Sequence, residues 1–274
     1  MVSALVLKMA MKRNKILINV ENLNDIKDYE ELGVINFLFP LKGYSIGYAS
    51  FSFEEIAKQN GNIYVLVNRL LTDVDIDNFL KLDIPKNVKG FIIEDVGLYE
   101  ALKDKNYELI NFQNHLNNNY KTINYWLKYY DSLVISTDIT LEEINKILNE
   151  AKKPLVLNAF SMPMIMYSRR KLINNYYKHY ELEPKKTIKI EEKISNKHFL
   201  LKEQEEGTAL FNNAYTDLRE VITDELDSKI KFYMINTFNI PKDIICRVIK
   251  GESIKEANSG FLHQKTVYKV GDLK

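Results

Sequence analysis

Residues 62–94 read NIYVLVNRLLTDVDIDNFLKLDIPKNVKGFIIE, and this stretch decides the fold. Its two ends, 62–68 (NIYVLVN) and 90–94 (GFIIE), are short apolar runs rich in β-branched and aromatic residues. They are nearly continuous instead of alternating, as strands covered on both faces are. Between them, residues 73–82 carry apolar side chains at helical spacing. The unit is strand, helix, strand, which predicts parallel pairing through a crossover.

Outward from this unit the strand signal recurs at 15–20 (KILINV), 34–39 (VINFLF), 107–112 (YELINF), 132–136 (SLVIS), 154–159 (PLVLNA) and 229–235 (KIKFYMI). Helix signals separate the runs. Ser52 precedes Glu54 and Glu55, a capping serine with acids in the first turn. Thr140 and Glu143 have capping-box spacing. Residues 120–130 and 215–226 show helical periodicity, and Pro241 opens a helix over 242–250 that Gly251 closes. Eight strands alternating with helices predict an α/β fold of the (β/α)8 TIM-barrel-like type. An open doubly wound sheet is the rival, but no glycine-rich fingerprint follows the first strand.

One connection is far longer than an ordinary βα loop of about 2–6 residues. It begins with a basic, tyrosine-rich helix signal over 166–180. Three alternating runs follow, at 187–193 (TIKIEEK), 198–204 (HFLLKEQ) and 208–211 (TALF), with turns at Ser195-Asn196 and Glu206-Gly207. This predicts a small antiparallel flap after the seventh strand, over the barrel mouth where active sites lie. The expected organisation is one structural domain. Residues 1–160 hold the first seven βα units, 161–228 the basic helix and three-stranded flap, and 229–274 the last unit and tail.

Composition narrows the classes. The 274 residues are 46% hydrophobic and 27% charged, and 38 basic against 37 acidic side chains leave a net charge of +1. That argues against a uniformly basic nucleic-acid coat, though not against a local patch. One cysteine excludes an internal disulfide and a multi-cysteine metal site within one chain. Residues 1–11 (MVSALVLKMAM) are too short to cross a bilayer, and Lys12 and Arg13 follow the apolar run instead of preceding it. The expectation is a frayed or misassigned start, with Met9 or Met11 as alternative initiators, in a cytoplasmic protein with no membrane partner. No dinucleotide fingerprint, phosphate-binding loop, HExxH, EF-hand or GxSxG motif occurs. The four histidines, at 115, 179, 198 and 263, lack metal-ligand spacing, so no metal is expected. Cys246, within 243–249 (DIICRVI), reads as a small buried hydrophobe sooner than a nucleophile.

Polar residues at strand ends are the candidates, because the rim builds the site. Lys42 follows the second strand, Arg69 the third, Glu94 and Asp95 the fourth, Gln113, Asn114 and His115 the fifth, and Thr137 and Asp138 the sixth. The seventh leads to Ser161, Tyr167, Arg169, Arg170 and Lys171. Carboxylates among cations suit an anionic substrate and proton transfer. The bland alternative is that Glu94, Asp95 and Asp138 cap helices or pair with nearby cations. Glu94, Asp138, Tyr167 and Arg170 are the expected catalytic residues, and Lys42, Arg69, Asn114, His115, Arg169, Lys171 and Tyr176 the expected substrate-binding ones. From 169 to 197 the chain holds nine Lys or Arg against four Glu, and Tyr167, Tyr176, Tyr177 and Tyr180 interleave with them. Cations for phosphates and ring faces for unpaired bases suit single-stranded RNA. A solvated helix face with inward tyrosines is the alternative.

Residues 162–176 (MPMIMYSRRKLINNY) resemble the signature segment of the collagenase-like U-thirty-two peptidase family, and within it the short branch of tRNA uridine hydroxylases. Residues 135–144 (ISTDITLEEI), 198–218 (HFLLKEQEEGTALFNNAYTDL) and 260–270 (GFLHQKTVYKV) are similar to the stretches that flank it. Of the signature, Tyr167, Ser168, Arg170, Leu172, Asn175 and Tyr176 are kept. Phe160-Ser161 stands where the family often has His-Gly, Met164 where a cysteine is common, and Gly47-Tyr48 where an arginine is usual. The resemblance implies a TIM-barrel-like core. It also implies either prephenate-dependent hydroxylation of the tRNA wobble uridine, with prephenate as cosubstrate and tRNA or another structured RNA as partner, or proteolysis of collagen or gelatin. Relatives hydroxylate ribosomal RNA or quinone precursors, some with a four-cysteine iron–sulfur cluster. Lys171 stands at one of those cysteine positions and Cys246 is alone, so ligand count excludes a cluster here. Three functions follow. The first is an RNA-modifying enzyme. The second is a peptidase using Glu94 or Asp138 as a general base on water. The third is a non-catalytic diverged paralogue that partners a longer homologue or assembles with itself.

Overall fold

The computed structural model describes residues 11–113, 115–193 and 196–264. The expectations placed on residues 1–10, on Asn114, on Ser195 of the expected turn and on 265–274 lie outside them. In the first half of the chain the strands are β1 (Ile16–Asn19), β2 (Asn36–Pro40), β3 (Asn62–Val67), β4 (Val88–Ile93), β5 (Glu108–Asn111), β6 (Ser132–Leu133) and β7 (Leu155–Ser161). Those that follow are β8 (Met164–Ser168), β9 (Thr187–Glu192), β10 (Lys197–Gln204), β11 (Gly207–Asn212), β12 (Tyr215–Asp217), β13 (Ile230–Asn236) and β14 (Ala257–Asn258). The helices are α1 (Ile26–Glu31), α2 (Phe53–Ile56), α3 (Asp73–Phe79), α4 (Val96–Leu102), α5 (Tyr120–Trp126), α6 (Leu141–Glu150), α7 (Leu172–His179), α8 (Asp224–Asp227) and α9 (Lys242–Ile249). Capping boxes at Ser52/Glu55 and Thr140/Glu143 open α2 and α6 as the sequence predicts, and a third at Thr72/Asp75 opens α3.

The protein is mixed α/β. Ten strands form one curled sheet in the order β14-β12-β7-β13-β1-β2-β3-β4-β5-β6, and β8, β11, β10 and β9 form a separate antiparallel sheet. The eight runs read from the sequence are β1 to β7 and β13, paired in parallel wherever they are neighbours in that order. The ladder of paired strands stops short of the eight-stranded ring that the sequence predicts. β6 holds only two residues, and it reaches β7 through a single parallel bridge, Val134 to Val156, with Ile135 N–H donating to Val156 O at 2.9 Å. The same edge of β7 takes antiparallel β12 at Phe160 and Ser161. Two apolar cores result. One lies between sheet and helices and includes Ile18, Phe39, Val65, Phe91 and Ile147. The other fills the inside of the curl with Leu17, Leu38, Leu66, Ile92, Ile110, Val156 and Met234, continuing into Met164, Leu200 and Phe211 of the antiparallel sheet. Both faces of each strand are therefore buried, which is why the runs are continuous.

Two expectations fail in the insertion. The helix predicted over 166–180 begins only at Leu172, because residues 164–168 pair with β11 and add a fourth strand to the expected three. Helical spacing of Met166 and Arg170 yields to the edge that β11 offers. The helix predicted over 215–226 is instead β12, a 3₁₀ turn at Arg219–Val221 and the short α8. There the chain bends where Asp217 accepts hydrogen bonds from the backbone and guanidinium of buried Arg219, and Thr223 caps a new start. These are contacts that periodicity does not register. Among the described residues no helix is long and apolar enough to cross a membrane.

Candidate active site at the strand ends

The strand exits lie under the antiparallel sheet, and three polar contacts fasten the two together. Gln204 accepts from Gly47 N–H at 2.6 Å and donates to Tyr48 O at 2.7 Å. Glu206 accepts from Gly43 N–H at 3.2 Å. Gly47 has a φ of +89°, and a Cβ there would sit 2.9 Å from the Phe211 ring. Only glycine adopts that backbone while letting the sheet approach so closely.

Glu94 leaves β4 beneath this cover. Its N–H donates to Val67 O at 3.1 Å, and its carbonyl accepts from Gln113 Nε2 at 3.0 Å. Tyr167, on β8, donates to Glu94 Oε1 at 3.4 Å and accepts from Leu70 N–H at 2.9 Å. The Glu94 carboxyl is pushed up to about 7, first by burial and then by Asp95, against the lowering pull of Tyr167 and His115. Such a group changes protonation near neutrality and suits proton transfer. Burial first, then Glu94, holds the Tyr167 phenol well above its ordinary value, so it stays a donor. His115 bonds Asp138 through Nδ1 and meets Ile165 O through Nε2 at 2.5 Å, tying the β5 and β6 exits to β8.

The other sequence candidates do not share this point. Arg69 pairs with Asp75 at 2.8 Å on the first turn of α3. Burial opposes ionisation of Asp75, but the Thr72 donors, Arg69 and Arg169 outweigh it and keep its carboxyl below the usual range. Arg69 is thus held by a local carboxylate, and Arg169 lies on the same side. Arg170 is exposed, its N–H on Ser168 Oγ and its carbonyl taken by Thr208. Lys171 pairs with Glu205 at 3.4 Å on the surface. Lys42 is exposed and lines a cleft of about 460 Å³ with Tyr44, Phe53 and Asp83, on the α2 side. Asp95 caps α4 through Gly97 and Leu98 N–H, as the bland alternative holds. Of the catalytic and substrate-binding candidates among the described residues, only Glu94 and Tyr167 meet at this point. Arg69 is drawn off by the carboxylate three residues past its helix cap.

Tyr176 is exposed on α7, its ring 4.7 Å from Tyr180 and 5.8 Å from Tyr177, and His179 packs on Tyr180 at 4.7 Å. The helix has no cap of its own. Glu203 of β10 accepts from Ile173 and Asn174 N–H, placing a carboxylate on its N-terminal turn. The tyrosines are therefore presented outward on a helix anchored to the sheet.

Sequence reasoning missed Glu21, Tyr48, Lys202 and Asn236. Glu21 lies two residues past β1 and accepts from Ala49 N–H at 2.8 Å. Its carboxyl is pushed up to about 7 by burial, against Lys202. Tyr48 is buried, and burial first, then Glu21 and Glu94, hold its phenol above its ordinary value against the lowering pull of Asn236. The rim rule that selected Glu94 would have found Glu21. Lys202 betrays itself as a cation in phase with Leu200 on an alternating strand.

A curled, parallel-rich sheet with a carboxyl–phenol pair at its strand ends and an antiparallel cover defines the class. The model of peptidase family U32 matches residues 50–235, and the chain belongs to that family. It is 22% identical to tRNA hydroxylation protein P2 of Bacillus subtilis over 309 aligned positions, spanning 94% of this chain and all of that protein. It is 29% identical to an oligoendopeptidase F homolog of Borreliella burgdorferi over 178 residues, 62% of this chain and only 30% of that protein. The spore cortex-lytic enzyme SleL of Bacillus megaterium superposes with a TM-score of 0.41 at 11% identity, over 90% of this chain and 76% of that one. That likeness is too loose to bear on the site.

Proposed function

We propose that this protein modifies RNA, by hydroxylation of a tRNA uridine with a small anionic cosubstrate, prephenate by resemblance. The observation that carries the reading is the Glu94–Tyr167 pair, whose carboxyl titrates near neutrality beneath a basic, tyrosine-bearing sheet and helix. Family membership and the likeness to a tRNA hydroxylation protein along that protein's whole length support it. In this reading the curled sheet works as a (β/α)8 barrel closed at the Val134–Val156 seam, with its mouth at Glu94. Glu94 gives or takes the proton, and Tyr167 orients it. Arg169, Arg170, Tyr176 and Tyr180 hold the RNA, whose phosphates meet the cations and whose unpaired bases stack on the rings. Deletion of the gene followed by mass spectrometry of tRNA nucleosides tests this. Loss of 5-hydroxyuridine derivatives is expected, and an unchanged profile overturns it.

A second reading rests on a different observation. Phe211 stacks on Phe238 with ring centroids 4.1 Å apart, and Tyr48 packs edge-on against both, so aromatic side chains occupy the centre of the strand-end face. That filling suits a non-catalytic subunit that partners a longer paralogue. It predicts co-purification with that paralogue and tolerance of E94Q. Gelatin cleavage by the purified protein would replace both readings with a peptidase.

A further inference from the structure

Lys202 sits on β10 between Leu200 and Gln204, and the strand's alternation puts all three on the face turned to the curled sheet. Leu200 is buried in the inner core and Gln204 is bonded to Gly47 and Tyr48. Lys202 Nζ lies 4.9 Å from the centroid of Phe238, the ring that stacks on Phe211. Among the described residues no carboxylate comes within 4.0 Å of it and no hydrogen bond holds it. A half-buried ammonium without a partner is costly. Its nearest electrostatic counterpart is Glu21, whose carboxyl burial drives toward the neutral form, so that offset is incomplete at neutral pH. The outer cations of this region are, by contrast, solvent-exposed or already paired.

We propose that Lys202 is the anchor for the carboxylate of a small organic anion, held at the junction of the two sheets beside Phe238. This rests on the RNA-modification reading and assigns its cosubstrate a binding residue, in place of Arg69 and Arg170. An RNA phosphate is the poorer occupant, because Lys202 faces inward between the two sheets while the cations of 169–171 face out.

The test is titration of the full chain at pH 7 with phenylacetate, its neutral counterpart 2-phenylethanol, and inorganic phosphate, followed by ligand-observed NMR. Phenylacetate is expected to bind wild type about tenfold or more tightly than it binds K202M, the cost of one charge-assisted contact. K202R should stay within a few-fold of wild type. Equal binding by wild type and K202M, including none by either, overturns the proposal. So does phenylethanol binding as well as phenylacetate, or phosphate binding more tightly than phenylacetate. If K202M does not fold, the wild-type comparison of acid with alcohol decides. A K202M-sensitive carboxylate site in a protein whose deletion leaves tRNA nucleosides unchanged would sink the hydroxylation reading and keep the site.

Discussion

The two ends of the curled sheet treat carboxylates in opposite ways. At the end where strands begin, Asp227 accepts from Lys12 at 2.6 Å, Lys15 at 3.0 Å and the Tyr233 hydroxyl. Burial works against its ionisation, but these donors prevail and hold the carboxyl down at about 2. Glu108, at the start of β5, accepts from Tyr64 at 2.7 Å and pairs with Lys231. At the end where strands finish, Glu94 and Glu21 are buried without a cation within salt-bridge distance among the described residues, and both are pushed up to about 7. The first end gives Asp227 and Glu108 counter-ions, and the second leaves Glu94 and Glu21 without one. The first arrangement suits stability, and the second suits the proton transfer that the proposed function needs.

The largest expected effect tests the stabilising end. D227A leaves Lys12, Lys15 and the Tyr233 hydroxyl without their acceptor and should cost about 3 kcal/mol in urea denaturation. Its pH signature has a definite sign. A carboxyl lowered from 3.8 to about 2 contributes fully above 3.8 and loses that contribution as pH falls through 2. Wild type should therefore lose its advantage over D227A in that window, and a constant gap would break the contrast.

E94Q probes the other end, with an expected fall of about a hundredfold in uridine hydroxylation at little cost to folding. Activity within twofold of wild type would remove Glu94 from the chemistry. The cover over that end is probed by G47A, where the positive φ and the Phe211 ring oppose a methyl group. A loss of about 2 kcal/mol is expected, read by denaturation. Replacing Tyr180 by alanine should weaken binding of single-stranded RNA about tenfold, measured by filter binding at fixed salt. The smallest effect is the sharpest for the comparison. Glu94 is raised from 4.5 to about 7, so its contribution to stability is full below 4.5 and is lost as pH rises through 7. E94Q should match wild type near pH 5 and exceed it near pH 8.5, by on the order of 1 kcal/mol. A gap of the opposite sign would mean that the carboxylate is stabilised there.

Much of the scaffold could be read directly. The unit at 62–94 is β3, α3 and β4, and the helix starts at Ser52 and Thr140 follow from one side chain each. Glu94 was legible for the same reason, as a carboxylate at the exit of an apolar run. Residues 164–168 and 215–217 were not, because their strand state depends on edges offered by β11 and β7, far along the chain. Nor was the diversion of Arg69, which follows from where α3 places Asp75.

The sequence alone determined the alternation of buried strands with capped helices, since burial on both faces and local capping write themselves into neighbouring residues. Tertiary structure alone decided that Glu94 meets Tyr167 and that Glu203 caps α7. Each of those joins groups dozens of residues apart, and such a contact leaves no period in the chain.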